Sequence, residues 1–438
     1  MPFNRLSVTS RVIAACSLLA AACNVSTPPA QPGGGAAAPA PPPTSAAVAP
    51  APTTGAPAAA AASTGPIVVG VSQALTGDKS DGGTAIENGY KVWIKEVNDS
   101  GGLLGRQVQL KDYDNNSLAD TSVSQYERLI TVDKVDLLLG PVSSALTIPD
   151  GPVAEKYHMV MSEGAGGAPP VFERNLHYLF FVQPGTAEHQ ADPFTDYILS
   201  LPADQRPKTA AYPSFDDPFA TAVVDQARKA LEGAGIQTVY TQIYPPTQTD
   251  FGPIAQQVKQ SGADIVFCGS AGTSDVTAFV QAMVSINYQP KATFFSAGPD
   301  EGTNFLEALG ERTEGIFNAA GWVQDAKTPG NGKFVQEYLE MFANKDNLVP
   351  PEAAEGYSAA QVLEAAVRGT NSLDNAKMAD WLHGNKVQTV QGMIGWDAAG
   401  RPQGTFTLLQ WQKGKFVAVW PKDDPSKSAD PVYPKPNW

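Results

Sequence analysis

Short apolar runs alternate with longer stretches of helical period along this chain from residue 67 onward. Residues 67–74 are apolar almost throughout, as a strand covered on both faces is, and residues 85–97 then set Ile86, Tyr90, Trp93, Ile94 and Val97 on one helical face. Further strands are predicted at 108–113, 135–139 and 158–161, separated by helices near 121–132 and 145–156. The pattern restarts with strand 209–212, helix 219–232, strand 237–243, helix 251–260, strand 264–268, helix 274–285 and strand 292–296. Strands alternating with helices of this length predict an α/β protein whose parallel sheets are covered on both faces. The interruption at 183–185 marks a crossing from one doubly wound, Rossmann-like lobe to another. A second crossing is predicted near 320–322, before helices 333–342 and 353–369. The end differs: 405–412 and 415–420, joined by Lys413-Gly414, read as an antiparallel hairpin. The expected division is 67–183 with 322–397 as one lobe, 184–321 with 398–420 as the other across a hinge, and 421–438 as a tail.

The first 66 residues follow a different logic. Arg5 and Arg11 precede an apolar or small stretch, 12–22, too short for a permanent membrane span and suited to a cleavable export signal over 1–22. Ala20-Ala21-Ala22-Cys23 resembles a bacterial lipobox, in which the cysteine is lipidated and becomes the mature N-terminus, although the favoured leucine stands one place early at Leu19. Cys16 fits the local pattern too but leaves almost no apolar run before cleavage. An ordinary secretory signal cut near Ala22 is the alternative, and both readings imply export. Residues 24–66 hold no charged and no aromatic side chain. Such a Pro/Ala/Gly tract cannot bury a core and extends by roughly 3 Å per residue where it is PPII-like, so 23–66 is expected to be a disordered tether.

Charge narrows the partners. The formal net charge is −14, and every acidic residue lies beyond residue 66, which disfavours nucleic acid and anionic lipid surfaces. Beyond the tether the remaining cysteine is Cys268, inside the apolar run 264–269, where a buried free thiol fits better than a catalytic one. The four histidines, His158, His177, His189 and His383, show no metal-site spacing, so neither a metal nor a cofactor is expected. GxSxG is absent, and the glycines at 164–167 are not followed by Gly-Lys-Ser/Thr.

In open parallel sheets, ligands sit beyond the carboxyl ends of the strands, where helix N-termini point outward. The loops concerned are 75–83, 140–144, 162–167, 214–219, 269–274 and 297–302, rich in Gly, Ser, Thr and Asp. Two lobes offering such loops to one cleft make a trap that closes about a hinge.

In order and spacing, residues 67–77 (IVVGVSQALTG), 98–105 with 112–114 (NDSGGLLG…DYD), 135–149 (VDLLLGPVSSALTIP), 249–266 and 392–400 resemble the type I periplasmic binding proteins of the branched-chain amino acid/amide class. The likeness runs from about residue 67 to 420. It implies the solute receptor of an ABC importer: a non-enzyme, expected as a monomer, that binds a small molecule between its lobes and delivers it to permease subunits. By the same resemblance, Ser144 with neighbouring Ser143 would hold a ligand carboxylate. Ala165 and Gly166 would occupy the next loop, Asp300 would meet an ammonium, and Phe219 would stand as a lid. That loop departs from the usual Ser-Pro-Gly-Ala-Thr, reading Ser162-Glu163-Gly164-Ala165-Gly166, and Gly82-Gly83 stand where an aromatic is common. Both changes imply a ligand larger than a small aliphatic amino acid or held differently, such as an amide, a peptide-like molecule or an aromatic acid; leucine, isoleucine and valine stay open. Asp300 has the alternative of capping the helix near Thr303, and Glu163 could supply a polar contact to the ligand or be a solvated or capping carboxylate. Two rival readings are a sensory module, which would need a separate signalling partner since no such segment precedes Trp438, and an exported hydrolase, which would turn its ligand over.

Overall fold

The computed structural model describes residues 65–438 except 302, 343–346 and 424–426. The expected export signal, the lipidated Cys23 and nearly all of the tether lie outside the described residues.

The chain runs β1 (Ile67–Gln73), α1 (Ser80–Asp99), β2 (Val108–Asp114), α2 (Ala119–Arg128), β3 (Leu137–Leu139), α3 (Ser144–Lys156), β4 (Met161–Glu163), α4 (Pro169–Phe172) and β5 (Leu179–Phe181). These strands form one parallel sheet, ordered β2-β1-β3-β4-β5. There follow α5 (Asp192–Ser200), β6 (Thr209–Phe215), α6 (Pro218–Gly233), β7 (Gln237–Tyr244), α7 (Gly252–Ser261), β8 (Ile265–Cys268), α8 (Thr273–Ser285), β9 (Ala292–Phe295), α9 (Thr303–Leu309) and β10 (Ile316–Ala320). Next come α10 (Asn331–Met341), α11 (Pro351–Thr370), α12 (Asn375–Gly384) and the small hairpin of β11 (Val387–Thr389) and β12 (Gly392–Ile394). The last strands, β13 (Thr407–Gln412) and β14 (Lys415–Trp420), pair antiparallel and join the second sheet, ordered β14-β13-β10-β9-β8-β6-β7. Their turn places Lys413 and Gly414 at φ 53° and 71°, the left-handed pair that a two-residue hairpin requires.

Strand alternation divides the second lobe's core between two faces. Ile265, Phe267, Ala292 and Phe294 pack on one side with Phe194 and Phe317. Val266, Cys268 and Phe295 pack on the other with Phe279 and Trp411. The rings of Phe267 and Phe294 stack at 4.6 Å. In the first lobe, β1 and β3 share one core with α1 and α11. Those two helices approach at paired glycines: a Cβ on Gly89 would lie 2.0 Å from the Ala353 carbonyl oxygen, and one on Gly356 2.3 Å from that of Ile86. This approach carries the first turn of α11 to the mouth of the sheet.

Two expected elements shift. Strand 158–161 is found as β4, three residues later, because His158 adopts φ 53° after α3 and the Val160 N–H is taken by Asn375 Oδ1 at 2.9 Å. The segment beyond residue 420 lies along the second lobe: Val432 O accepts from Gln410 Nε2, and Trp438 Nε1 donates to Tyr288 O. Between the lobes, the crossings meet at Pro184, whose Cδ lies 2.5 Å from a Cβ built on Gly321 and whose carbonyl oxygen lies 2.6 Å from one on Gly404.

Candidate functional site

The carboxyl ends of the parallel strands of both sheets face one cavity of about 270 Å³. From the first lobe it receives the loop after β1, the start of α3, the loop after β4 and the first turn of α11; from the second, the loops after β6, β8 and β9.

Four of the six residues expected at a ligand lie on this wall: Ser143, Ala165, Phe219 and Asp300. Ser143 caps α3, its Oγ accepting from Ala145 N–H at 3.2 Å, with φ 83° and ψ 136°. A non-glycine residue in that region costs about 1–3 kcal/mol, strain of a kind that clusters at ligand clamps. Ser144 and Gly166 are placed elsewhere, a correction to the expected set. The Ser144 hydroxyl is fully buried behind the wall, accepting from Ala168 N–H at 3.0 Å. Gly166 backs onto α3, where a Cβ would fall 2.1 Å from Thr147 Oγ1. The departure from the usual loop sequence has its own explanation: the Glu163 carboxylate is buried beneath the loop and accepts from Ala165 N–H at 2.5 Å. Glu163 thus holds the loop rather than lining the cavity.

Phe219 is half-buried on the first turn of α6, which Asp217 caps through Phe219 N–H at 2.8 Å. Its neighbours on the wall include Phe181, Phe215 and Phe406. Asp300 Oδ1 has no hydrogen-bond partner among the described residues. The adjacent Glu301 makes a cap, accepting from Thr273 N–H at 2.9 Å at the start of α8.

Sequence reasoning missed the wall's dominant feature, its charge. Besides Asp300 and Glu301, carboxyl groups are supplied by Glu352 and Glu355 on α11 and by Asp78, Asp81 and Asp217 nearer the loops. Burial pushes Asp300 up to about 7 and Glu301 up to about 8. Glu352 and Glu355 are raised well above the ordinary range, first by burial and then by Asp300. Glu163 behind them is raised to about 8 by the same desolvation. Among the described residues no three His, Cys, Asp or Glu side chains stand close enough to hold a metal ion.

The one cation among the described lining residues is Lys79, on the first-lobe loop. It lies 3.3 Å from Asp78 and 3.7 Å from Asp217 of the second lobe, and 5.3 Å from the Phe215 ring centroid. Lys79 therefore ties the two rims together. Lys79→Met is expected to weaken rim closure by about 1–3 kcal/mol, between the surface and buried limits for an ion pair. Small-angle scattering of the ligand-free protein checks this, and an unchanged radius of gyration counts against it.

A model of the periplasmic binding protein family matches residues 66–415. The chain belongs to that family. This binding protein is 25% identical over 373 residues to an amino acid binding protein of Pseudomonas aeruginosa, a match covering 80% of this chain and 91% of that one. In three dimensions it superposes with a TM-score of 0.70 on a branched-chain amino acid transporter substrate binding protein of Streptococcus pneumoniae in complex with isoleucine, at 19% identity, covering 85% of this chain and 100% of the other. An ABC transporter solute binding protein of R. palustris in complex with benzoate gives a TM-score of 0.69 at 18% identity, with 81% and 96% covered. These likenesses establish the two-lobed type I fold of the binding protein. Among the described residues no helix is long and apolar enough to cross a membrane.

Proposed function

We propose that the protein is an extracytoplasmic solute-binding receptor of an ABC importer. It captures an amino acid or amino-acid-like small molecule between its lobes, returns it unchanged to permease subunits, and is held to the membrane through a lipid on Cys23. The observation that carries this reading is one cavity at the carboxyl ends of two separate sheets, with the lobe crossings gathered at Pro184. Such an arrangement lets bound solute stabilise one relative position of the lobes over another. Ser143, Ala165, Phe219 and Asp300 are the proposed contacts. The names carried by the relatives, amino acid and Leu/Ile/Val-binding proteins, agree with the class of solute.

The test is native mass spectrometry of the full chain to identify any co-purified solute, followed by thermal melting with that solute added back. A ligand that binds only the folded state raises the melting temperature by mass action, by about 2.7 kcal/mol of stability at 100 times Kd. Asp300→Asn is expected to reduce the shift. Conversion of the solute during incubation, or uptake that is unchanged in a strain lacking this protein, would overturn the receptor reading.

A further inference from the structure

Three acceptors on the cavity wall have no donor. Asp300 Oδ1 and Glu352 Oε2 lack any hydrogen-bond partner among the described residues, and the two side chains are 8% and 9% exposed. Gln190 Oε1 is likewise unpartnered, while its Nε2 is fixed by the carbonyls of Ser296 at 3.0 Å and Ala319 at 2.8 Å, which sets the amide's orientation. Buried acceptors left unmet are costly, so an occupant that supplies donors is favoured over one that supplies more acceptors.

Charge points the same way. Lys79 is already engaged by two aspartates, so among the described lining residues Asp300, Glu301, Glu352 and Glu355 have no cation to neutralise them. A carboxylic acid entering here would add an anion to a cluster whose members already raise one another's protonation. The carboxylates do not converge as metal ligands do. The same wall carries the rings of Phe215, Phe219 and Phe406, surfaces that accept alkyl groups and the faces of cations.

We infer that the solute of this cleft is an organic cation bearing N–H donors, a primary ammonium or guanidinium group on an apolar body, rather than a carboxylic acid of the benzoate kind. The inference rests on the receptor reading and names the class of solute that the receptor takes. The donor-bearing end meets Asp300, Glu352 and Gln190, and the apolar body lies against the phenylalanines.

Isothermal titration of the full chain at neutral pH and physiological salt, with 1,4-diaminobutane, agmatine, 1-aminobutane, 1-butanol, tetramethylammonium, leucine and benzoate, tests it. The diamine or agmatine should bind saturably, and 1-aminobutane should bind more tightly than the uncharged alcohol of the same length. Glu352→Gln and Asp300→Asn should each weaken the diamine or agmatine by roughly tenfold or more, the loss expected when one partner of a buried charged pair is removed. Tetramethylammonium, which has charge but no N–H, should bind more weakly than the amines. Binding of leucine or benzoate without binding of any amine overturns the inference and leaves the receptor reading standing. Amine binding that ignores both substitutions, or the alcohol matching the amine, also overturns it. Binding by none of these probes overturns it too, and the receptor reading is then decided by the co-purified solute. The amine-against-alcohol comparison needs no variant and holds if a substituted protein fails to fold.

Discussion

Gly356→Val is expected to unfold the protein at a markedly lower temperature and to abolish solute binding with it. The Cβ of any residue at this position would lie 2.3 Å from the Ile86 carbonyl oxygen, 2.9 Å from its carbon and 3.0 Å from its Cα, all backbone of α1. Backbone cannot swing aside as a side-chain tip can, so the helices must separate. Separation opens the core that Val92, Trp93, Ala359 and Leu363 share. Overpacking of this kind costs about 3 kcal/mol at the upper end of its usual range, or roughly 4 °C in melting temperature for a folded body of this size. Because Glu352 and Glu355 ride on the same turn of α11, binding should fall further than stability alone accounts for. Gly332→Ala is the control: no atom lies within 4 Å of a Cβ there, and its place in α10 predicts a gain of about 0.5–1 kcal/mol. Differential scanning fluorimetry of the two variants side by side decides the matter, and equal melting temperatures would contradict the packing argument.

The paired glycines also show which parts of this protein are written locally. The central strands and amphipathic helices were legible because burial on both faces makes β8 and β9 continuous apolar runs, while burial on one face imposes period 3.6 on α1 and α6. β5 and β10 were not read. The first has three residues, and the second carries Asn318 in mid-strand, a polar residue that is fully buried only because its Nδ2 donates to Phe295 O at 2.9 Å. At the site, the loops that carry Ser143 and Asp300 could be placed from their position after the strands, and the two residues themselves from the family resemblance. Whether Ser143 or Ser144 faces the cavity could not, since an unusual φ at Ser143 turns the following hydroxyl inward. Glu352 and Glu355, at the start of predicted helix 353–369, were not singled out. A signal was nevertheless present: acids at i and i+3 amid Pro, Ala and Gly, with no long side chain to shield them, on a helix whose small residues permit close packing. Only the tertiary approach of α1 reveals that those small residues bring the acids into the cavity.

The same burial dictates how the ligand-free protein should respond to pH. An unfolded carboxyl titrates near 4, whereas Asp300 titrates at about 7, and Glu301, Glu163 and Asp150 at about 8. Glu352 and Glu355 are raised in the same direction. Between the unfolded and folded values the native state keeps protons that the unfolded chain has released, so stability falls as pH rises through that window. Below it both states are protonated, above it both are ionised, and the slope vanishes at either end. Surface carboxylates with lowered values, such as Glu127 held by Lys156 and Asp430 held by Lys427, act in the opposite sense but only at more acidic pH. Urea unfolding should therefore report a ligand-free protein on the order of 5 kcal/mol less stable at pH 8.5 than at pH 5.5, several buried groups each contributing about 1–2 kcal/mol. Glu352→Gln combined with Glu355→Gln should flatten that slope, because an amide neither ionises nor raises its neighbours. Bound 1,4-diaminobutane should flatten it as well, by offering the ionised carboxylates the positive charge that Lys79, held at the rim by Asp78 and Asp217, does not bring to them. A stability that stays level or climbs between pH 5.5 and 8.5 would mean that water reaches these carboxyls freely and that the wall is not the desolvated acidic surface described here.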